Sequence, residues 1–323
     1  MKVLHRLLSM TITAALGLVP ATGMAQATYP VKPIRLIVPL APGGASDNAA
    51  RALGQALTKT LGQAIVVENR PGGNGAVAAQ ALLGAAPDGY TLLWAPASMA
   101  ALPLLQKNAP FASIEEFVPV SIVGRLTFCM VVHAGTPGAT LAEFVGHARA
   151  NPGKLSFASS TMGEYMAMAQ LMGATGVSMI RVPYKGGAQA VPDLLEGRVQ
   201  ASITPISPVL PFVRDARLRV LAVTLPQRST AAPDIPTMAE AGVPGVSVPT
   251  WQAIYAPPKT PRDIADRLAR EIRQVLQDPA VKSELERQFF AVDGSTPEAL
   301  SATIKDDLRA WAQFVRDNAI APE

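Results

Sequence analysis

The chain has 323 residues, 49% of them hydrophobic and 16% charged, with 25 Gly and 29 Pro, a composition that excludes a disordered polymer and a coiled coil. At this length a single core tends to split, so two medium α/β domains are expected. The 28 Lys and Arg against 24 Asp and Glu give a net charge of +4, but the basic residues are scattered singly, and without a basic stripe nucleic acid is excluded as a partner.

The first residues read as an export signal. Lys2, His5 and Arg6 precede an apolar stretch from Leu7 to Val19, followed by Pro20 and the small-x-small triplet Ala25-Gln26-Ala27. Residues 1–27 are therefore expected to be a signal peptide cleaved near Ala27, leaving a protein of the periplasm. The stretch is shorter than the roughly 20 residues of a spanning helix, and no later segment reaches that length without a charge or a proline. Removing the leader takes away Lys2 and Arg6 and no acid, so part of the basicity belongs to export. The single cysteine, Cys129, excludes an internal disulfide and a multi-thiolate metal site. No cysteine lies near the cleavage site to carry a lipid, and Cys129 in its apolar run reads as a buried, inert thiol.

In chain order, Ile34 to Val38 is a short strand, ended by Pro39 and the loop Ala41-Pro42-Gly43-Gly44. Ser46 and Asp47 then open a helix that carries Ala49, Ala50, Leu53, Ala56 and Leu57 inward. The pattern recurs at Ile65 to Val67 with Pro71-Gly72-Gly73-Asn74-Gly75 and an Ala-rich helix, and at Thr91 to Trp94 with a Pro/Ser loop. A second series runs from the strand at Phe128 to Val132 through the helix 141–149, the strand 155–158, a Ser/Thr/Gly loop with its helix, and the strand 179–182. The helix 188–196, the strand 201–203, the helix 209–215 and the strand 218–223 complete it. Such alternation predicts a largely parallel sheet flanked by helices. The Pro-rich stretch from Pro226 to Pro249 reads as a returning linker. Pro261, Pro279 and Pro297 each open a C-terminal helix, the last with Leu300, Leu308, Trp311 and Val315 facing inward.

Catalytic signatures are missing. HExxH, GxSxG, SxxK and the Walker loop are absent, and the histidines of the mature chain, His133 and His147, lack partner motifs. Gly73-Asn74-Gly75-Ala76-Val77-Ala78 is a degenerate GxGxxA, which a tight turn explains without a dinucleotide. No cofactor and no metal are expected.

Gly, Ser and Thr cluster instead at strand C-terminal ends, where a parallel α/β sheet forms its ligand crevice and helix N-termini present unpaired N–H groups. Four loops are candidates: 42–47 with Gly43, Gly44, Ser46 and Asp47; Ala97-Ser98; Ser159-Ser160-Thr161-Met162-Gly163; and Tyr184-Lys185-Gly186-Gly187. They offer amides and hydroxyls but no nucleophile–base pair. Three or four charge-assisted hydrogen bonds with helix-dipole support amount to about 8 kcal/mol, or roughly micromolar binding of a small carboxylate.

The motif Tyr29-Pro30-Val31-Lys32-Pro33-Ile34 through Pro42-Gly43-Gly44, Asp47 and Ala50-Arg51 resembles the Bug family, TctC-like solute receptors of tripartite tricarboxylate transporters. The resemblance continues through Val67-Glu68-Asn69-Arg70-Pro71-Gly72-Gly73, Ala86-Pro87-Asp88-Gly89-Tyr90-Thr91, Asn151-Pro152-Gly153-Lys154-Leu155, Val182-Pro183-Tyr184-Lys185-Gly186-Gly187 and 234–242, and so spans the mature chain. It implies an α/β fold of type II-like, Venus-flytrap plan, with a ligand cleft between two lobes joined by crossover strands. Residues 28–127 and 248–323 are expected in the first lobe and 128–247 in the second. It also implies that the loops 43–47 and 159–163 grip one ligand carboxylate, partly through ordered water.

Departures from the family pattern are Glu164, where relatives carry Ser or Thr; Ala167, where His is usual; and Thr204-Pro205, often Asp-Asn. Two readings of Glu164 stand. Facing the cleft, it would repel a second carboxylate and favour an amide, amine, hydroxyl or aromatic group; turned outward, it is a first-turn helix acid. Met162, Met166 and Met168 read either as core or as a soft apolar wall. The resemblance implies a monomeric receptor that captures a small organic acid and hands it to a membrane permease. A receptor feeding a sensory kinase is a second possibility, and a secreted ester or amide hydrolase using Ser159, Ser160 or Asp47 a third that lacks its histidine.

Overall fold

The computed structural model describes residues 29–184, 187–229, 231–246, 249–318 and 320. In chain order its elements are β1 (Ile34–Val38), α1 (Ala45–Leu61), β2 (Ile65–Asn69), α2 (Ala76–Leu83), β3 (Thr91–Pro96), α3 (Leu102–Leu105), β4 (Val118–Leu126) and β5 (Phe128–His133). Then come α4 (Leu141–Ala150), β6 (Ser156–Ser159), α5 (Met162–Thr175), β7 (Ile180–Pro183), α6 (Gly187–Leu195), β8 (Ala201–Pro205), α7 (Leu210–Arg214) and β9 (Leu218–Val223). The chain ends with β10 (Trp251–Ala256), α8 (Arg262–Gln277), α9 (Pro279–Arg287), β11 (Phe290–Val292) and α10 (Pro297–Asp317).

These strands form two sheets, one of six in the order β11-β4-β10-β3-β1-β2 and one of five in the order β7-β6-β8-β5-β9. Both are mixed, which corrects the expectation of a largely parallel sheet. β1 lies parallel to β2 and β3, and β6 parallel to β7 and β8. β10 is antiparallel to β3 and β4, β11 to β4, and β5 to β8 and β9. The direction follows from connectivity: β4 and β10 are crossover strands, and a chain returning from the far sheet enters the near one reversed.

Local chemistry sets the element ends. Gly62 closes α1 in the left-handed region at φ 67°, donating its N–H to the Thr58 carbonyl. In α8 the buried residues Ala265, Leu268, Ala269, Ile272, Val275 and Leu276 recur every three or four positions, an amphipathic stripe laid on the first sheet. Each large aliphatic side chain so buried contributes about 1.5–3 kcal/mol.

The chain leaves the first sheet at Thr127, whose N–H donates to the Phe289 carbonyl at 2.9 Å, and on the way back the Thr250 carbonyl accepts from the Leu126 N–H at 3.1 Å. The stretch expected as a linker is not a free tether. Val223 is bonded to it twice, its N–H donating to the Pro236 carbonyl at 2.8 Å and its carbonyl accepting from the Met238 N–H at 2.9 Å. Met238, Val243 and Val246 are buried in the second lobe's core. α10 is rooted in both halves: Leu300 and Ile304 belong to a first-sheet core, whereas Trp311 and Phe314 belong to the core that covers the second sheet. Phe314 meets Tyr165 of α5 edge to face, with ring centroids 5.9 Å apart. Among the described residues no helix is long and apolar enough to cross a membrane.

Candidate functional site

The strand C-terminal ends of the first sheet meet the start of α5 across a narrow cleft. Its walls are Pro39 and Leu40 after β1, Asn74 after β2, Pro96 and Ser98 at the end of β3, Leu102 and Leu105 of α3, and Thr161 and Met162 from the other lobe. They enclose about 30 Å³, room for one or two waters, so the walls must part to admit a solute.

On the first-lobe side, α1 begins at Gly44 with no side-chain cap. The amides of Ala45, Ser46 and Asp47 take no hydrogen-bond partner among the described residues, which leaves three N–H groups and the positive end of the helix dipole open. Asp47 shapes the loop that precedes them. It is buried, and its Oδ2 accepts from Gly43 N–H at 2.9 Å and from Arg51 Nε at 3.0 Å, while Oδ1 accepts from Asn69 Nδ2 at 2.8 Å. Burial raises its pKa, but the bonds from Arg51, Gly43 and Asn69 outweigh it and hold the carboxyl below its ordinary value. Gly43 turns at φ 81°, a left-handed conformation suited to glycine. Ser46 is buried too, and donates to Gln252 Oε1 at 3.0 Å, an oxygen that Trp94 Nε1 reaches at 2.8 Å. The side chains of Ser46 and Asp47 thus have protein partners, and what this loop leaves open is its backbone.

Ser98 is half-buried in the cleft wall, and its hydroxyl has no partner among the described residues. Asn74 stands at φ 53° between two glycines, with its side chain likewise unpaired. The Gly73-Asn74-Gly75 motif read as a tight turn is one, and the turn holds an amide at the cleft. Asn tolerates the left-handed region, and the loop follows a strand C-terminus like the other four; both signals were available in the sequence.

At the second-lobe wall Glu164 is neither exposed nor turned toward the cleft lining. It is 4% exposed, and its Oε2 accepts the N–H of Ser160 and, at 3.3 Å, that of Thr161, while Thr161 Oγ1 accepts from Glu164 N–H at 3.2 Å. This is a closed capping box at the start of α5. Burial pushes the Glu164 carboxyl up to about 7, against the pull of the Ser160 and Thr161 amides and the Ser160 and Thr204 hydroxyls. The amides of Met162 and Gly163 remain without partners among the described residues. Met162 lines the cleft, whereas Met166 and Met168 are core.

The other candidates face the protein. Ser159 is buried, and its hydroxyl accepts from Arg181 Nε at 2.9 Å. Tyr184 donates to Asp193 Oδ2 at 2.7 Å; burial and this carboxylate push its phenol up to about 12. Thr204 is buried beneath Glu164's loop. Gly187 begins α6, and Lys185 and Gly186 lie outside the described residues. No group of three His, Cys, Asp or Glu able to hold a metal occurs among the described residues.

A sequence profile described as "Tripartite tricarboxylate transporter family receptor" matches residues 49–320. The chain belongs to this family. Among its relatives, Protein BugT of Bordetella pertussis is 36% identical over 294 residues, covering 90% of each chain. The periplasmic binding protein BugD superposes with a TM-score of 0.82 at 30% identity, covering 91% of this chain and 100% of that one. Two proteins of Rhodopseudomonas palustris, each 28% identical and fully covered, were solved with adipate (TM-score 0.85, 91% of this chain) and with malate (MatC; TM-score 0.78, 89% of this chain). The family is one of solute receptors and not of enzymes, and the two-lobed binding-protein fold is shared.

Proposed function

We propose that this receptor captures a small carboxylate-bearing solute between its lobes in the periplasm and presents it to the permease of a tripartite tricarboxylate-type transporter. The observation that carries the reading is a narrow cleft between the lobes lined by unpaired polar groups: Ser98 and Asn74 on one wall, and on the other Met162, whose amide has no partner among the described residues. The adipate and malate bound by two relatives support a carboxylate as the shared chemistry. Residues 1–27 serve as the cleaved leader, 28–127 with 248–323 form one lobe, and 128–247 the other. The mature protein acts as a monomer, and closure on the solute is a population shift toward the form the permease recognises.

Native mass spectrometry of protein from the periplasm, followed by calorimetry with adipate, malate and related acids, tests this. The expected result is a co-purified organic acid and roughly micromolar binding that weakens about 10-fold in Ser98→Ala, the loss of one hydrogen bond to a charged group. Binding of neutral solutes with indifference to every acid would overturn it.

A further inference from the structure

We propose that Glu164 is a built-in carboxylate that fills the anion-accepting end of α5, so that the solute end meeting this loop is an uncharged hydrogen-bonding group, a carboxamide or hydroxyl, instead of a second carboxylate. This deepens the proposed function and rests on the solute lying in the cleft between the lobes.

The starts of α1 and α5 are opposites. α1 has no side-chain cap and leaves three amides open, whereas α5 has its Ser160 and Thr161 amides committed to a buried side-chain oxygen. A helix N-terminus carries roughly half a positive charge, and Glu164 compensates it when ionised. At the cleft, α5 presents Met162, its amide without a partner among the described residues, beside Thr161, and the next amide along, that of Gly163, is unpaired too. A solute carboxylate there would lie beside a buried carboxyl group, and two such groups do not both ionise readily. A carboxamide oxygen or a hydroxyl accepts from the same amides with no such conflict.

The neighbouring elements supply little opposing charge. Arg181 of β7 is engaged with Ser159 Oγ and lies 4.3 Å from the Tyr165 ring centroid. On α6, Asp193 is paired with Arg198 and bonded to Tyr184. β8 contributes the uncharged Thr204, and the facing wall the uncharged Ser98 and Asn74. A diacid can therefore use this end only if Glu164 or the diacid itself takes up a proton. Because burial places Glu164 at about 7, that uptake falls in an accessible range. Diacid binding is accordingly expected to weaken as the pH rises through it, approaching tenfold per unit above it.

The experiment is calorimetry of the mature chain and of Glu164→Gln with adipate and with its half-amide, adipamate, at about pH 6 and about pH 8. The wild type is expected to favour the half-amide by about 10-fold or more at the higher pH, with a smaller gap at the lower one. In Glu164→Gln the gap is expected to close at both. A wild type that binds the two acids equally, or a gap unchanged by pH or by the substitution, overturns the proposal and leaves the carboxylate reading intact. Indifference of both proteins to both acids counts against the carboxylate reading instead. A ligand-free measurement then decides on Glu164: the amide resonances of Ser160 and Thr161 are expected to shift together as Glu164 titrates near neutrality, and resonances that stay still from about pH 5 to about pH 9 overturn the proposal.

Discussion

Replacing Glu164 by Gln is expected to change how stability depends on pH, without any ligand. The carboxyl moves from an ordinary 4.5 to about 7 in the folded chain because it is buried. A raised carboxyl pKa means that the folded state binds more protons than the unfolded one between these values. Stability from this group is therefore fully present below the unfolded value and falls as the pH rises toward the folded one. At 1.36 kcal/mol per unit, the loss amounts to about 3 kcal/mol once the pH exceeds both values. A Gln oxygen can still accept from Ser160 and Thr161 without carrying charge. Urea unfolding of both proteins across the range should give nearly equal free energies at about pH 4.5 and a Gln variant more stable by up to about 3 kcal/mol at about pH 8. Taking the difference between the proteins cancels the other titrating groups. A difference that is constant with pH, or a Gln variant that is the weaker at high pH, would refute the reasoning.

Other outcomes are equally specific. Trp311→Ala should cost about 3–5 kcal/mol in denaturant unfolding, whereas Trp311→Phe should cost far less than the Ala variant, because the indole N–H is buried without a partner. Gly124→Ala would drive its methyl into the Phe290 ring and the Ala291 carbonyl; since the latter is backbone, β11 must shift, at about 1–3 kcal/mol or more, seen as a lowered Tm in calorimetry. Asp47, held below its ordinary pKa, contributes stability present above the unfolded value and lost as the pH falls through the folded one. Asp47→Asn should therefore flatten the acid limb of the stability curve measured below about pH 4. Asn74→Ala should weaken binding of an organic acid several-fold in calorimetry and also lower the unfolding free energy by about 1 kcal/mol, because Ala tolerates the left-handed backbone at this position less well than Asn.

The βα units were legible because their signals are local. Ile34 to Val38 and Phe128 to Val132 are short β-rich runs, and Pro39 and Gly43-Gly44 mark where the first one stops. β4 was not, since Pro119 and Gly124 interrupt it, and neither was β10, whose six residues are all buried, so that no alternation marks it. β11 is three residues long and exists by pairing with β4, more than 160 positions earlier. Strand direction was out of reach for the same reason, being decided by where the chain returns near Thr250. At the site, the spacing of Thr161 and Glu164 spelled a capping box, yet whether the carboxylate would be buried or solvated depended on Thr204, a residue of another strand. The open start of α1 was readable from the Gly43-Gly44 run that precedes it.

A helix anchored in both halves restricts how they can separate. Unseating Trp311 would return roughly 150–250 Å² of aromatic surface to water, which at about 25 cal/mol per Å² is a penalty of about 4–6 kcal/mol. An excursion by that route would be populated roughly once in a thousand or fewer. Separation of the halves is therefore expected to leave the tryptophan in its socket and to work through the segments at Thr127 and Thr250, where the chain passes between the sheets.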